Sequence, residues 1–405
     1  MPFICPSIRN LRISSSKLRP GSNLPFCLPR RRISSSPTWI EEETLAGYKS
    51  SKYYPVKIGE TIQDTYKIRV KLGYGRHSTT WLCTDLQNSF KVLKILTAND
   101  GVSREAQVLK HVRDSATESQ SPGKYCVRRA EDIFVIPGKK GNRHQCFVFE
   151  PLGPNLLESA SQRKRTSRNG FHIDEVRWMT VYFVHALDFL HQHGVVHTDL
   201  KLDNIQLTLP DNEKEILDAF VSAAEAENPS TIRTNADGAP VYTSRQMFQD
   251  ELTFPILCDL GSAKLGKPPH EGLVQALPYR APEVMLGASW DSKIDIWSLG
   301  VLIWELVLGE RLFGEKSQET SLELMLRYLG PPPDEFLQRC SRRDEYFDSN
   351  DHWRHGKIER MDLEDRVEMT MDMPLFFDFL RSMLRWDPRE RLSALELLEH
   401  PWLRV

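Results

Sequence analysis

The spacing of apolar residues changes character part-way along this 405-residue chain, and that change limits what it can fold into. Tyr66 to Leu72, Thr79 to Asp85 and Phe90 to Leu96 are short β-rich runs separated by glycine or polar turns. Val102 to Val112 sets Val102, Ala106, Leu109 and Val112 on one helical face, and Gln145 to Phe149 reads as a further strand. From Ile173 onward the spacing is helical, over Val176 to His193, Ile294 to Leu308, Glu319 to Leu329, Leu375 to Leu384 and Ala394 to Leu398. Strands followed by helices, with no internal repeat, predict an α+β chain of two lobes, the first β-rich and the second helical.

Charge is distributed just as unevenly. The whole chain carries 53 Lys and Arg against 55 Asp and Glu, a formal charge of −2, which leaves no general footprint for direct nucleic-acid binding. Residues 1 to 40 nonetheless hold seven bases (Arg9, Arg12, Lys17, Arg19, Arg30, Arg31 and Arg32) and no acid, among many Ser and Pro. Two readings stand for residues 1–45: a disordered basic tail, or a mitochondrial transit peptide, which six prolines make a poor amphipathic helix. A cytoplasmic or nuclear location goes with the first, a mitochondrial one with the second. Residues 208–255 are acidic, with Asp211, Glu213, Glu215, Asp218, Glu225, Glu227, Asp237, Asp250 and Glu251 against Lys214, Arg233 and Arg245. There Ile216, Leu217, Phe220, Val221 and Ala224 predict a short amphipathic helix, and Asn228 to Pro240 a mobile loop. No run of 18 or more apolar residues exists, so no membrane span is expected. The seven cysteines are scattered without a Cys-x-x-Cys pair, as in a reducing compartment.

Five short segments carry chemistry. Gly73-Tyr74-Gly75-Arg76-His77-Ser78 lies between two strand-like runs, where glycines allow a hairpin to approach phosphates closely. In Lys91-Val92-Leu93-Lys94, alternation puts Val92 and Lys94 on one face of a strand, and Glu105, eleven residues on, could pair with the ammonium. His197-Thr198-Asp199-Leu200-Lys201-Leu202-Asp203-Asn204 is the most specific segment. Cys258-Asp259-Leu260-Gly261 and Tyr279-Arg280-Ala281-Pro282-Glu283 follow in order. His197 is expected to be a packed, hydrogen-bonded histidine bracing the Asp259 segment, not a general base. Asp295 is expected to brace the backbone around Asp199, and Arg391 to pair with Glu283.

In this order and spacing the segments resemble those of the eukaryotic protein kinases, from about Tyr66 to Leu403. More narrowly they resemble the serine/arginine-protein kinase group in its fungal form. That likeness rests on Tyr54-Pro55-Val56-Lys57-Ile58-Gly59, on Gly75-Arg76-His77-Ser78-Thr79-Thr80-Trp81-Leu82, on His197-Thr198-Asp199 and on Val148-Phe149-Glu150-Pro151-Leu152-Gly153. The resemblance implies a kinase fold with a small lobe at 66–152, a helical lobe at 153–405 containing the insert, and an extension at 46–65. It implies ATP and Mg²⁺ as cofactors and transfer to Ser or Thr of protein substrates. By the same resemblance Asp199 is the catalytic base, Lys201 and Lys94 neutralise phosphate charge, Glu105 holds Lys94, and Asn204 and Asp259 bind the metal. Leu72, Gly73, Gly75, Ser78, Thr80, Val92, Phe149, Glu150 and Leu152 would surround the nucleotide, with backbone groups of Glu150 and Leu152 at the adenine edge.

Three departures matter. Thr80 and Val92 stand where most kinases have Val and Ala. Thr198 stands where many have the Arg that grips a phosphorylated activation loop, and Ser262 is the one hydroxyl residue from 262 to 276, so activity without activation-loop phosphorylation is expected. Arg/Ser-rich substrates are implied by the group, but Arg327 stands where a docking acid is expected and Pro282 keeps the general Ala-Pro-Glu form. A monomeric enzyme is expected. Two alternatives are weighed: a pseudokinase scaffold, against which the intact Lys94, Glu105, Asp199, Asn204 and Asp259 speak, and a small-molecule phosphotransferase, against which Tyr279 to Glu283 speaks.

Overall fold

The structure, a computed structural model, describes residues 39–98, 101–138, 141–164, 170–226, 233–235, 237–249, 251–314, 316–367 and 373–404. The basic segment 1–38 lies outside the described residues.

Six antiparallel strands form the first lobe: β1 (Thr61–Ile62), β2 (Tyr66–Gly75), β3 (Ser78–Thr84), β4 (Phe90–Leu96), β5 (Asp132–Pro137) and β6 (Arg143–Phe149), in the order β1-β2-β3-β4-β6-β5. β2 runs on through Gly73 and Gly75 because its ladder with β3 continues to Gly75 opposite Ser78. The edge strand β5 was not anticipated: Ile133 to Ile136 is a continuous apolar run, which does not separate strand from helix. Helix α1 (Arg104–Glu118) packs against one face of the sheet, and begins where Ser103 Oγ accepts the Ala106 N–H.

Both faces of the sheet are buried. Leu82, Val92, Phe147 and Phe149 join the large core with α1, whereas Trp81, Cys83, Leu93, Ile95, Cys146 and Val148 form a second cluster. That outer cluster is closed by Val56 from the N-terminal extension and Tyr242 from the insert. Tyr242 sits edge-on to Trp81 at 5.9 Å, and burying such a side chain contributes about 1.5–3 kcal/mol.

The helical lobe is built on α2 (Leu156–Lys164), α3 (Ile173–Gln192), α5 (Lys293–Leu308), α6 (Gln318–Leu329), α7 (Met373–Met383) and α8 (Ala394–Leu398). Trp297 and Trp304 of α5 and Trp402 are fully buried in its core. No helix among the described residues is long and apolar enough to cross a membrane.

The insert departs from expectation in two ways. Its helix α4 (Glu213–Ala226) buries Leu217 and Val221, as the spacing predicts, but it lies against β2, with Arg69 paired to Glu225 at 2.7 Å. The described part of the expected loop is a hairpin, Arg233–Thr234 against Pro240–Val241, turned by Asn235 and Gly238 (φ +74°). The N-terminal boundary moves as well: residues 39–45, grouped with the tail on sequence, belong to the folded unit, since Glu42 and Glu43 are buried. Burial of Lys71 explains this. It is 1% exposed, its Nζ pairs with Glu42 and with Glu41 (3.7 Å), and it donates to the Tyr242 carbonyl at 2.9 Å. A buried ammonium needs such partners, so the extension and the insert converge on it.

Candidate active site

The strand ladder places Lys94 opposite Thr80 on β3 and beside Phe147 on β6. The capped start of α1 brings Glu105 to it, and the two side chains meet at 2.6 Å. Lys94 also reaches Asp259 at 3.3 Å. Burial disfavours the Lys94 charge, but Glu105 and Asp259 outweigh it and raise its pKa above the ordinary lysine value. Burial would raise the Asp259 carboxyl, and Lys94 reverses this, holding it below the usual aspartate range. Asp259 adopts a left-handed backbone (φ +61°) with its carboxylate accepting the Gly261 N–H at 3.3 Å. Leu260 behind it is buried and packs with its turn against α1.

The Asp199 segment is held from below. Asp295 of α5, itself fully buried, accepts the backbone N–H groups of His197 (2.8 Å) and Thr198 (2.9 Å). His197 is buried, with Nε2 at 3.0 Å from the Cys258 carbonyl, so it ties this segment to the one carrying Asp259. Lys201 Nζ lies 2.7 Å from Asp199 Oδ2, and Asn204 Nδ2 donates to the same oxygen at 3.0 Å and to the Asp199 carbonyl at 2.8 Å. Among the described residues, no hydrogen bond is made to the Asn204 amide oxygen.

Thr198 has φ +64°, an unusual conformation for a β-branched residue. Its N–H is held by Asp295, and its hydroxyl donates to the Ser262 carbonyl at 2.8 Å. Further along, buried Gln275 (φ +67°) donates to the Ile294 carbonyl and Ser298 Oγ, both at 2.8 Å, and accepts the Ala281 N–H at 3.0 Å. Between Asp259 and Glu283, whose own carboxylates pair with Lys94 and Arg391, the segment is thus held at Ser262 and Gln275 by uncharged hydrogen bonds. Phosphatase-treated protein is expected to keep its full rate; an inactive product that an upstream kinase restores would refute this.

Leu72, Gly73, Gly75, Ser78, Thr80, Val92, Lys94, Glu105, Phe149, Leu152, Asn204 and Asp259 all line one cleft between the lobes. Asp199 and Lys201 do not line that cavity and are joined to it through Asn204. Glu150 is not part of the lining either, and its carbonyl accepts Arg128 Nη2 at 3.2 Å. Arg128 was not anticipated. Its guanidinium lies 4.6 Å from the Phe149 ring, and Nη1 donates to Gln206 Oε1 at 2.8 Å, making the rear of the cleft polar. Gln206 lies two residues past Asn204, at the centre of the short strand Ile205–Leu207 that pairs with Pro255–Leu257. The insert residues Ser244 to Phe248 also line the cleft, which no local pattern announces.

A protein kinase domain model matches residues 66–252 and 247–403. The chain belongs to the protein kinase family. A serine/threonine protein kinase of Aspergillus fumigatus is 38% identical over 387 residues, covering 92% of each chain. The serine/threonine-protein kinase SRPK of Physarum polycephalum is 32% identical over 393 residues, covering 90% of this chain and 91% of the relative. A solved kinase-domain structure, 24% identical, superposes with a TM-score of 0.68 over 87% of this chain and 99% of its own. This kinase is thus a serine/threonine protein kinase of SRPK-like type, and nothing favours the pseudokinase alternative. The family generally uses ATP and Mg²⁺.

Proposed function

We propose that this kinase transfers phosphate from Mg²⁺-ATP to serines in Arg/Ser-rich protein segments. The observation that carries the substrate reading is a pair of acids in the cleft lining, where Glu158 and Asp203 stand near each other beside Asn204. Asp203 is exposed and without an ion-pair partner among the described residues, so it can meet an arginine. Arg327, the residue that departs from the expected docking acid, is occupied by Glu323 at 2.7 Å on its own helix, which weakens its repulsion of a basic peptide.

The cleft suits the nucleotide and metal. A Cβ at Gly73 or Gly75 would meet no protein atom, so packing within the chain does not demand glycine there, and close backbone approach to phosphates does. Asp259 and the amide oxygen of Asn204 are hard oxygen donors of the kind Mg²⁺ takes alongside phosphates. When bound, Mg²⁺-ATP supplies the phosphoryl group and the neutralising dication. Lys94, oriented by Glu105, fixes phosphate oxygens by charge. Asp199, aimed by Asn204, accepts the proton of the serine hydroxyl, and Lys201 neutralises charge beside it.

Replacing Arg by Gln in an Arg-Ser repeat peptide is expected to raise its KM roughly fivefold per arginine met by an acid. A peptide library showing no enrichment of Arg near the phosphosite would remove the substrate reading and leave the kinase assignment intact.

A further inference from the structure

We propose that Tyr53, in the N-terminal extension, is a positioning residue that latches the tip of the phosphate-covering hairpin and thereby sets affinity for the nucleotide. The inference rests on the reading that the cleft takes Mg²⁺-ATP.

The hairpin between β2 and β3 turns at Gly75, Arg76 and His77. Neither Gly73 nor Gly75 has a side chain to pack, and no protein atom lies where their Cβ atoms would be. Left to itself such a tip samples many conformations, and each must be given up when phosphates dock beneath it. The Tyr53 hydroxyl donates to the two carbonyls at the turn, Gly75 at 3.0 Å and Arg76 at 3.1 Å. The residues after β4 hold the same turn and the extension together, the Thr97 N–H reaching the His77 carbonyl at 2.9 Å and the Ala98 N–H the Lys52 carbonyl, beside Tyr53, at 2.7 Å.

Tyr53 is itself held. Its ring packs 5.2 Å from the ring of Tyr48, and the Tyr48 hydroxyl accepts from Asn235 Nδ2 in the insert hairpin at 3.4 Å. Arg233 pairs with Glu43 at 3.3 Å, and Ser50 with Asp237. The insert thus steadies the extension, and the extension holds the tip of the hairpin. Burial, with Glu42 nearby, pushes the Tyr53 phenol up to about 12, so it remains a donor at any physiological pH.

The test is Tyr53→Phe in the full chain, which removes the hydroxyl and keeps the ring against Tyr48. The KM for ATP should rise about fivefold, the worth of one net hydrogen bond, with kcat and the melting temperature unchanged. Amide hydrogens of residues 74 to 78 should exchange faster in the variant without nucleotide, and this difference should shrink when ADP and Mg²⁺ are added. An unchanged KM, or a fall in kcat and melting temperature together, would overturn the latch. Calorimetry with ADP and Mg²⁺ separates the two readings. If wild type binds and the variant binds equally well, the latch fails alone; if neither binds, the nucleotide reading fails and takes the latch with it.

Discussion

Asp199→Asn should slow transfer of phosphate to an Arg/Ser-rich protein by about 10²- to 10⁴-fold, the range over which a positioned general base contributes. The substitution keeps the shape of the side chain. It leaves Lys201 Nζ (2.7 Å) and Asn204 Nδ2 (3.0 Å) facing an amide that cannot take up a proton. Asp295, which holds the backbone on either side of His197, is untouched, so the loop should keep its course. Binding of ADP and Mg²⁺, followed by calorimetry, should change little, because Asp199 does not line the cleft. A variant that transfers phosphate at the wild-type rate would show that the proton goes elsewhere.

Arg391→Ala should bring the largest loss of stability. Arg391 and Glu283 meet through two parallel contacts of 2.7 Å, with side-chain exposures of 0% and 1%. The guanidinium also donates to the carbonyls of Arg385 (2.9 Å) and Lys293 (3.0 Å) and lies 5.0 Å from the Trp297 ring. Removing it strands a buried carboxylate, a change that costs about 3–5 kcal/mol. Urea unfolding followed by tryptophan fluorescence should show the midpoint displaced accordingly. A midpoint equal to that of the wild type would mean that water or another cation replaces Arg391. The pair fastens the end of the activation segment to the helical lobe, so activity should fall at temperatures where the variant still appears folded.

The catalytic core was legible because chemistry binds residue type to spacing. A carboxylate, an ammonium two positions on and an amide five positions on form a unit in space as well as in sequence. The Lys94–Glu105 pair was legible for a similar reason, since a strand, a cap at Ser103 and one helical turn leave few other places for Glu105. Helix α1 ran past its expected end because Ala116 is buried behind an otherwise polar final turn. What stayed hidden is long-range. Trp81-Leu82-Cys83 and Val92-Leu93 are buried on both faces of the sheet, which signals that something covers the outer face. Nothing local says that Val56 and Tyr242 do so, or that Tyr53 reaches the hairpin. Arg128 was hidden because the Arg128-Arg129 pair follows an irregular stretch and has no periodicity to say which of the two turns into the cleft.

Lys71 bears on how this enzyme can be divided. Its ammonium is neutralised from before the catalytic domain, by Glu41 and Glu42, and accepted from within the insert, at Tyr242. A chain trimmed to begin at residue 46 would bury that charge with one neutral carbonyl for company, and one lacking the insert would lose the carbonyl. The motifs mark out where the chemistry is done, but the smallest piece that can be excised and still fold is larger than the segment they span. Its N-terminal edge is set by the counter-ions of a single lysine in the strand that leads into the glycine hairpin.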